Sequence, residues 1–254
     1  MKIRKMPATA IFALFIAAVV IGQPSFGATG STVNHSLFGD LLKKYVHNGN
    51  VNYAGLKSEE AELNQYLDLL AKVDPETLSR NEQFAFYANA YNAWTIKLIL
   101  TKYPDIKSIK ELGFLGTGPW KQKVVRLQGG LVSLDHIEHD ILRPRFKDPR
   151  VHFAINCAAK SCPPLRSEPY RGDILDQQLD TATRSFLNNP QNYRLDGNVF
   201  YVSRIFDWFS EDFNDDVIGF YLKYATGDLA KKLEAGRGKI RIAYLDYDWS
   251  LNGK

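Results

Sequence analysis

The chain has 254 residues, of which 45% are hydrophobic, 13% aromatic and 24% charged, with a formal net charge of +4. That is enough apolar material for one sizeable buried core. Three of the positive charges, Lys2, Arg4 and Lys5, stand at the very start, so the remainder is near neutral and has no Lys/Arg block of the kind that binds nucleic acid.

Behind those three charges an uncharged run extends from Ala8 to Gly22, followed by the small-x-small pattern Ser25-Phe26-Gly27. These are the parts of a cleaved secretory signal peptide over residues 1–27. The apolar run is shorter than the roughly 20 residues that a membrane span needs, and no cysteine follows it to take a lipid anchor. The expectation is a mature protein beginning near Ala28, periplasmic or secreted, without membrane contact after cleavage.

Along the remaining chain, residues 36–47 and 57–72 show amphipathic helical spacing, separated by a turn at Asn48-Gly49. Ser79 and Glu82 form a capping-box pattern ahead of a helix over about 80–102 that is apolar on every face, as a buried helix is. Asn89 and Asn92, three apart within it, read as core amides satisfied by hydrogen bonds. A hairpin turns at Gly129-Gly130, and a helix over 134–142 is predicted to stop before Pro144. Asp148-Pro149 leads into an alternating strand, Arg150 to Asn156. Then come a helix over 174–188, a hairpin across Asp196-Gly197, helices over 211–225 and 227–234, and a last strand over 239–247. Helices and hairpins without a βαβ period predict a single α+β domain, mostly helical, with antiparallel hairpins.

Chemistry-bearing residues cluster in the middle of the chain. On a helix over 134–142, Glu138 falls among Leu134, Ile137, Ile141 and Leu142, whereas His136, His139 and Arg143 point the other way. A carboxylate facing a core is either paired, most simply with an arginine, or raised in pKa. His136 and His139 stand at i and i+3, without the i, i+4 spacing of a zinc-protease helix, so no metal is expected. If 150–156 is a strand, His152 shares a face with Ala154 and Asn156, opposite Cys157, and Cys162 becomes its better partner. Cys157 and Cys162 are the only cysteines. In an oxidising compartment such a pair is most often a disulfide, with a reactive thiol as the alternative. The aromatic Ile205-Phe206-Asp207-Trp208-Phe209 run reads as core, and Asp207, Glu211 and Asp212 as solvated or capping residues. No glycine-rich phosphate loop, dinucleotide fingerprint or nucleophile elbow occurs, and no cofactor is implied.

Several segments carry a family resemblance: Asn81-Glu82-Gln83 through Tyr91-Asn92-Ala93, Ile137-Glu138-His139 with Leu142-Arg143, His152 through Cys157 with Ser161-Cys162-Pro163-Pro164, and Tyr247 through Asn252. From about Tyr45 to Asn252 the chain resembles the family called domain of unknown function 547. Some relatives resemble fusions with glutaredoxin- or thioredoxin-like modules, which implies a thiol role for Cys157 or Cys162. The order of parts is also similar to papain-like and transglutaminase-like hydrolases, but those place a cysteine at the start of the buried helix, and this helix has none. The expected site is thus a thiol and histidine centre for a hydrolase or transferase. It draws on Cys157 or Cys162 as nucleophile, His152 as base and Glu138 as orienter, with His139 beside Glu138 in the same motif. The competing expectation is a non-catalytic periplasmic binding or scaffold domain with a Cys157–Cys162 disulfide. The partner in either case is a small molecule or peptide.

Overall fold

Asparagine side chains on a buried helix set the positions of the loops around it. The computed structural model describes residues 31–113 and 117–253, so the expected signal segment 1–27 and a start near Ala28 lie outside the described residues. Ser36–Tyr45 forms α1, and Val46–His47 (β1) pairs antiparallel with Asn50–Val51 (β2). The helix expected over 57–72 is two: α2 (Tyr53–Ser58), capped by the Asn52 side chain, and α3 (Glu60–Leu70). Both pack on α4 (Arg80–Leu100), where every residue from Glu82 to Ala93 is buried, as its all-round apolar sequence predicts. Ser79 accepts the Glu82 N–H as the expected cap, but the Glu82 carboxylate accepts from Gly172 N–H and not from Ser79.

Asn89 and Asn92 are the satisfied core amides that their spacing suggested, and each clamps a separate loop. Asn89 donates to Tyr170 O (2.8 Å) and accepts from Tyr170 N (2.8 Å). Asn92 donates to Ala154 O (3.0 Å) and accepts from Asn156 N (2.8 Å). Asn156 in turn donates to Pro163 O (2.8 Å), accepts from Ala158 N (2.9 Å), and meets Asn252, which accepts from the buried Tyr53 hydroxyl.

Past the hairpin of Val125–Leu127 (β3) and Gly130–Val132 (β4), the structure departs from expectation in the segment that carries the candidate residues. The helix over 134–142 does not stop before Pro144. Its central part, His136–Leu142, is a widened π turn in which Arg143 N–H bonds Glu138 O, and it continues as α5 (Arg143–Phe146). Proline lacks only an N–H, and near the start of a new helical register that donor has no required partner. The strand expected over 150–156 is also absent: Val151–Ala154 is a helical turn, α6, and Ile155, which follows it, is extended. Asp148 Oδ1 accepts the Arg150 N–H, Pro149 supplies a helix-compatible φ, and Val151, His152 and Phe153 N–H bond back to Asp148, Pro149 and Arg150. Asp-Pro is a helix-start signal, and it outweighs an alternation that a short apolar run also produces by chance.

Leu175–Leu187 (α7) has one buried face, as expected. Tyr193–Asp196 (β5) and Val199–Val202 (β6) form the expected hairpin, and Arg241–Tyr244 (β7), shorter than expected, joins β6 in parallel. The parallel partner needs a long crossover, which here holds α8 (Ile205–Trp208), α9 (Val217–Tyr224) and α10 (Gly227–Ala235). The helix expected over 211–225 begins only at Val217, because Asn214 and Asp215 are left-handed (φ 54° and 53°) and close a tight turn over Ser210–Phe213. The fold is α+β with two apolar clusters, one around α4 and one between the β5-β6-β7 sheet and α9. α6 lies on the seam, with Val151 and Ala154 in the first cluster and Phe153 in the second.

Asn92→Ala leaves Ala154 O and Asn156 N buried without partners, at about 1–3 kcal/mol each. Chemical denaturation is expected to show a loss of about 3 kcal/mol at unchanged m-value; a loss under about 1 kcal/mol would mean the clamp is dispensable.

Candidate functional site

Glu138, His139, His152, Cys157 and Cys162 all line one cavity of about 210 Å³ on this seam. α6 and the π turn bring them there. The helical turn at 151–154 removes the strand alternation that would have set His152 and Cys157 on opposite faces. The widened π register likewise brings His139 to the cavity beside Glu138, whereas an α-helical plot turns it away. His136 does turn away, to Asp140 (2.7 Å).

His152 is 3% exposed, and its Nε2 lies 2.6 Å from Asp212 Oδ2. Arg143 Nε donates to the same carboxylate oxygen (2.6 Å) and its Nη2 to Glu211 (2.6 Å). Burial would raise the Asp212 pKa, but the hydrogen bonds from His152 and Arg143 hold it down to about 2. Burial lowers the His152 pKa against the pull of Asp212, so the imidazole is neutral. With an ionised carboxylate at Nε2, that nitrogen carries the proton and Nδ1 keeps its lone pair. Phe209 lies over the imidazole with centroids 4.1 Å apart and also carries the Arg143 guanidinium at 5.0 Å, which fixes both groups. Asp212, which the sequence suggests is solvated or capping, instead joins His152 to Arg143. Its signal is the left-handed Asn214-Asp215 pair, which closes the turn over Ser210–Phe213 and so keeps Asp212 out of the following helix.

Glu138, 9% exposed, has no arginine partner. Arg143 is committed to Glu211 and Asp212, and among the described residues Glu138 meets only the Tyr91 hydroxyl, 3.2 Å away. Burial therefore raises its pKa to about 7, with Tyr91 and the distant Arg143 opposing. His139, its pKa lowered by burial, accepts from Arg143 Nη1 at 2.8 Å.

Cys157 and Cys162 have Cα atoms 6.1 Å apart and their sulfurs at disulfide distance. Cys157 is half-buried with its sulfur 3.3 Å from the Tyr247 hydroxyl; Cys162 is buried, and its sulfur accepts the Cys157 N–H (2.7 Å). The C-terminal segment holds this loop in place: Lys160 N–H bonds Ser250 O, Asp248 N–H bonds Ser161 Oγ, and Asn252 N–H bonds Ala158 O. The same segment supplies Tyr247 and Trp249 to the cavity wall. Among the described residues no group of three His, Cys, Asp or Glu side chains is placed to hold a metal ion.

Because the folded state keeps Glu138 protonated where an unfolded chain ionises it, the native protein binds more protons between about pH 4.5 and 7, and stability falls as pH rises through that window. His152 acts in the opposite direction, eroding stability as pH falls below 6.5. Glu138→Gln isolates the first effect: wild type should lose about 3 kcal/mol relative to the variant across that window. Parallel stability–pH curves for the two proteins would show that Glu138 is an ordinary ionised carboxylate.

No curated protein and no solved structure matches the chain. Residues 75–187 match the family model described as "Protein of unknown function, DUF547". That stretch, which is similar to the DUF547 family, contains α4, Glu138, His139, His152 and both cysteines.

Proposed function

We propose that this cavity is a thiol- and histidine-centred acyl-transfer site, of the hydrolase or transferase type, in a protein exported by its N-terminal segment. The observation that carries the reading is the Arg143–Asp212–His152 chain, which ends in a neutral, oriented imidazole in the wall that also holds both sulfurs. Asp212 takes the orienting role that the sequence assigned to Glu138. Glu138, protonated near neutral pH, is a proton donor on the opposite side of the substrate.

The working form is the dithiol. An external dithiol reduces the Cys157–Cys162 bond, becoming a disulfide itself and leaving two thiols. Cys157 is the nucleophile, because it is the more accessible sulfur, and Cys162 is its buried resolving partner. His152 Nδ1 takes the Cys157 proton, the sulfur bonds the carbonyl carbon of an ester, thioester or amide, and His152 returns the proton to the leaving group as its bond breaks. The Tyr247 hydroxyl, beside Cys157, donates to the carbonyl oxygen as that gains charge. Water, or an acceptor nucleophile, then releases the acyl group. Export to an oxidising compartment would keep the pair closed until a reductant meets it.

A second reading is supported by the sulfur geometry itself: a binding or scaffold domain in which the closed pair shapes the loop beside His152 and does no chemistry.

p-Nitrophenyl acetate decides between them. Reduced protein should take up one acetyl group per chain on Cys157, seen by intact and peptide mass, and oxidised protein none. His152→Ala should slow acylation by about 100-fold. Absence of any Cys157 adduct in fully reduced, folded protein would contradict the enzymatic reading and leave the scaffold.

A further inference from the structure

The outer part of the cavity consists of stacked rings that neither the Arg143–Asp212–His152 chain nor the sulfurs require. Trp208 is 45% exposed, an unusual condition for tryptophan in a folded chain. It is nonetheless held rigidly, with its ring 4.8 Å from Tyr247 and stacked at 5.7 Å on Trp249. Tyr247 and Trp249 lie 4.5 Å apart, and Trp120 meets Trp249 edge-on at 5.6 Å. Lys110 Nζ sits 3.9 Å above the Trp249 ring and braces it from the rim. These rings form a preset shelf whose outermost member has an open face, and ordering them costs a ligand nothing.

We infer that this shelf is the substrate-selecting subsite, and that it takes a flat apolar ring carried by the acyl group or by the residue that bears the reactive carbonyl. The inference rests on the acyl-transfer reading for the reaction itself, though the binding that it describes does not need that chemistry. Tyr247 sets the distance. Its ring belongs to the shelf and its hydroxyl touches the Cys157 sulfur, so a ring lying against Trp208 is separated from the sulfur by the length of one phenol side chain. The side chain of a phenylalanine-like residue spans such a gap.

The polar groups of the cavity argue against a sugar ring. Tyr91 is bonded to Glu138, His152 to Asp212 and His139 to Arg143, and the Tyr247 hydroxyl beside Cys157 is reserved for the reacting carbonyl. A polyol would bring hydroxyls that find few unengaged partners, and unmet polar groups weaken binding. An aromatic ring makes no such demand and can stack on the exposed Trp208.

Calorimetric titration of the full-length protein with N-acetyl-L-phenylalaninamide and N-acetyl-L-alaninamide tests this. The phenylalanine amide should bind at least tenfold more tightly; Trp208→Ala should remove most of that preference, and Trp208→Phe should keep it, with unchanged melting temperatures as the folding control. Equal affinities for the two amides, or a preference that survives Trp208→Ala in a folded variant, would overturn the shelf. The two proposals fail separately. A phenylalanine preference without acylation of reduced Cys157 by p-nitrophenyl acetate removes the enzymatic reading alone, and acylation without the preference removes the shelf alone.

Discussion

The Asn92 carboxamide is the hydrogen-bonding group on which the rest of this site depends. It sits in the middle of a helix with no solvent on any side, so its donor and its acceptor must both be met by protein. They are met by Ala154 O and Asn156 N, the last carbonyl of one helical turn and the second N–H of the loop that follows. A single side chain therefore fixes where α6 ends, hence where His152 points, and where the cysteine loop begins. Asn156 and Asn252 extend the arrangement: the first ties Pro163 and Ala158 to the clamp, and the second brings in the C-terminal segment and Tyr53. Each member is buried, and leaving any one unpaired would cost more than the net worth of its bond.

On that frame the electrostatics follow from which carboxylate captures the arginine. Arg143 reaches Asp212 and Glu211 from α5, and its commitment there leaves Glu138 with only a hydroxyl. Two carboxyl groups that act on one another thus take different protonation states: Asp212 ionised through its cation, Glu138 protonated near neutrality through burial. Phe209 keeps water from the pair beneath it and aligns the guanidinium with the imidazole. Reversing the allocation would cost His152 its ionised partner and Glu138 its raised pKa.

Much of this was legible in the sequence, and the exceptions have physical causes. The buried α4, its two satisfied amides and the inward-facing Glu138 follow from periodicity, because a whole helix averages over many positions. All five candidate residues that the sequence offers reach the cavity. The route there was misread for two of them. Seven apolar-alternating residues from Arg150 fit a strand and a helical turn alike, and Asp148-Pro149 was the deciding signal. His139 depends on a π register, which no 100° plot anticipates. Asp212 was read as solvated because its role requires contact with a residue 60 positions away, which local patterns do not carry. The aromatic run around Trp208 was read as core, whereas exposure separates Trp208 from the buried Phe206.

The central claim is that Asp212 makes His152 a base for the Cys157 thiol, and the rate of alkylation reads this directly. Iodoacetamide modification of Cys157 in the reduced protein, followed across pH for wild type and Asp212→Asn, separates an assisted thiol from a free one. The account predicts that wild-type reactivity tracks the ionisation of His152, rising at acid pH well below the ordinary thiol pKa of about 8.5, and that Asp212→Asn loses this acid limb. Two superimposable curves, each rising only near the ordinary thiol pKa, would contradict it.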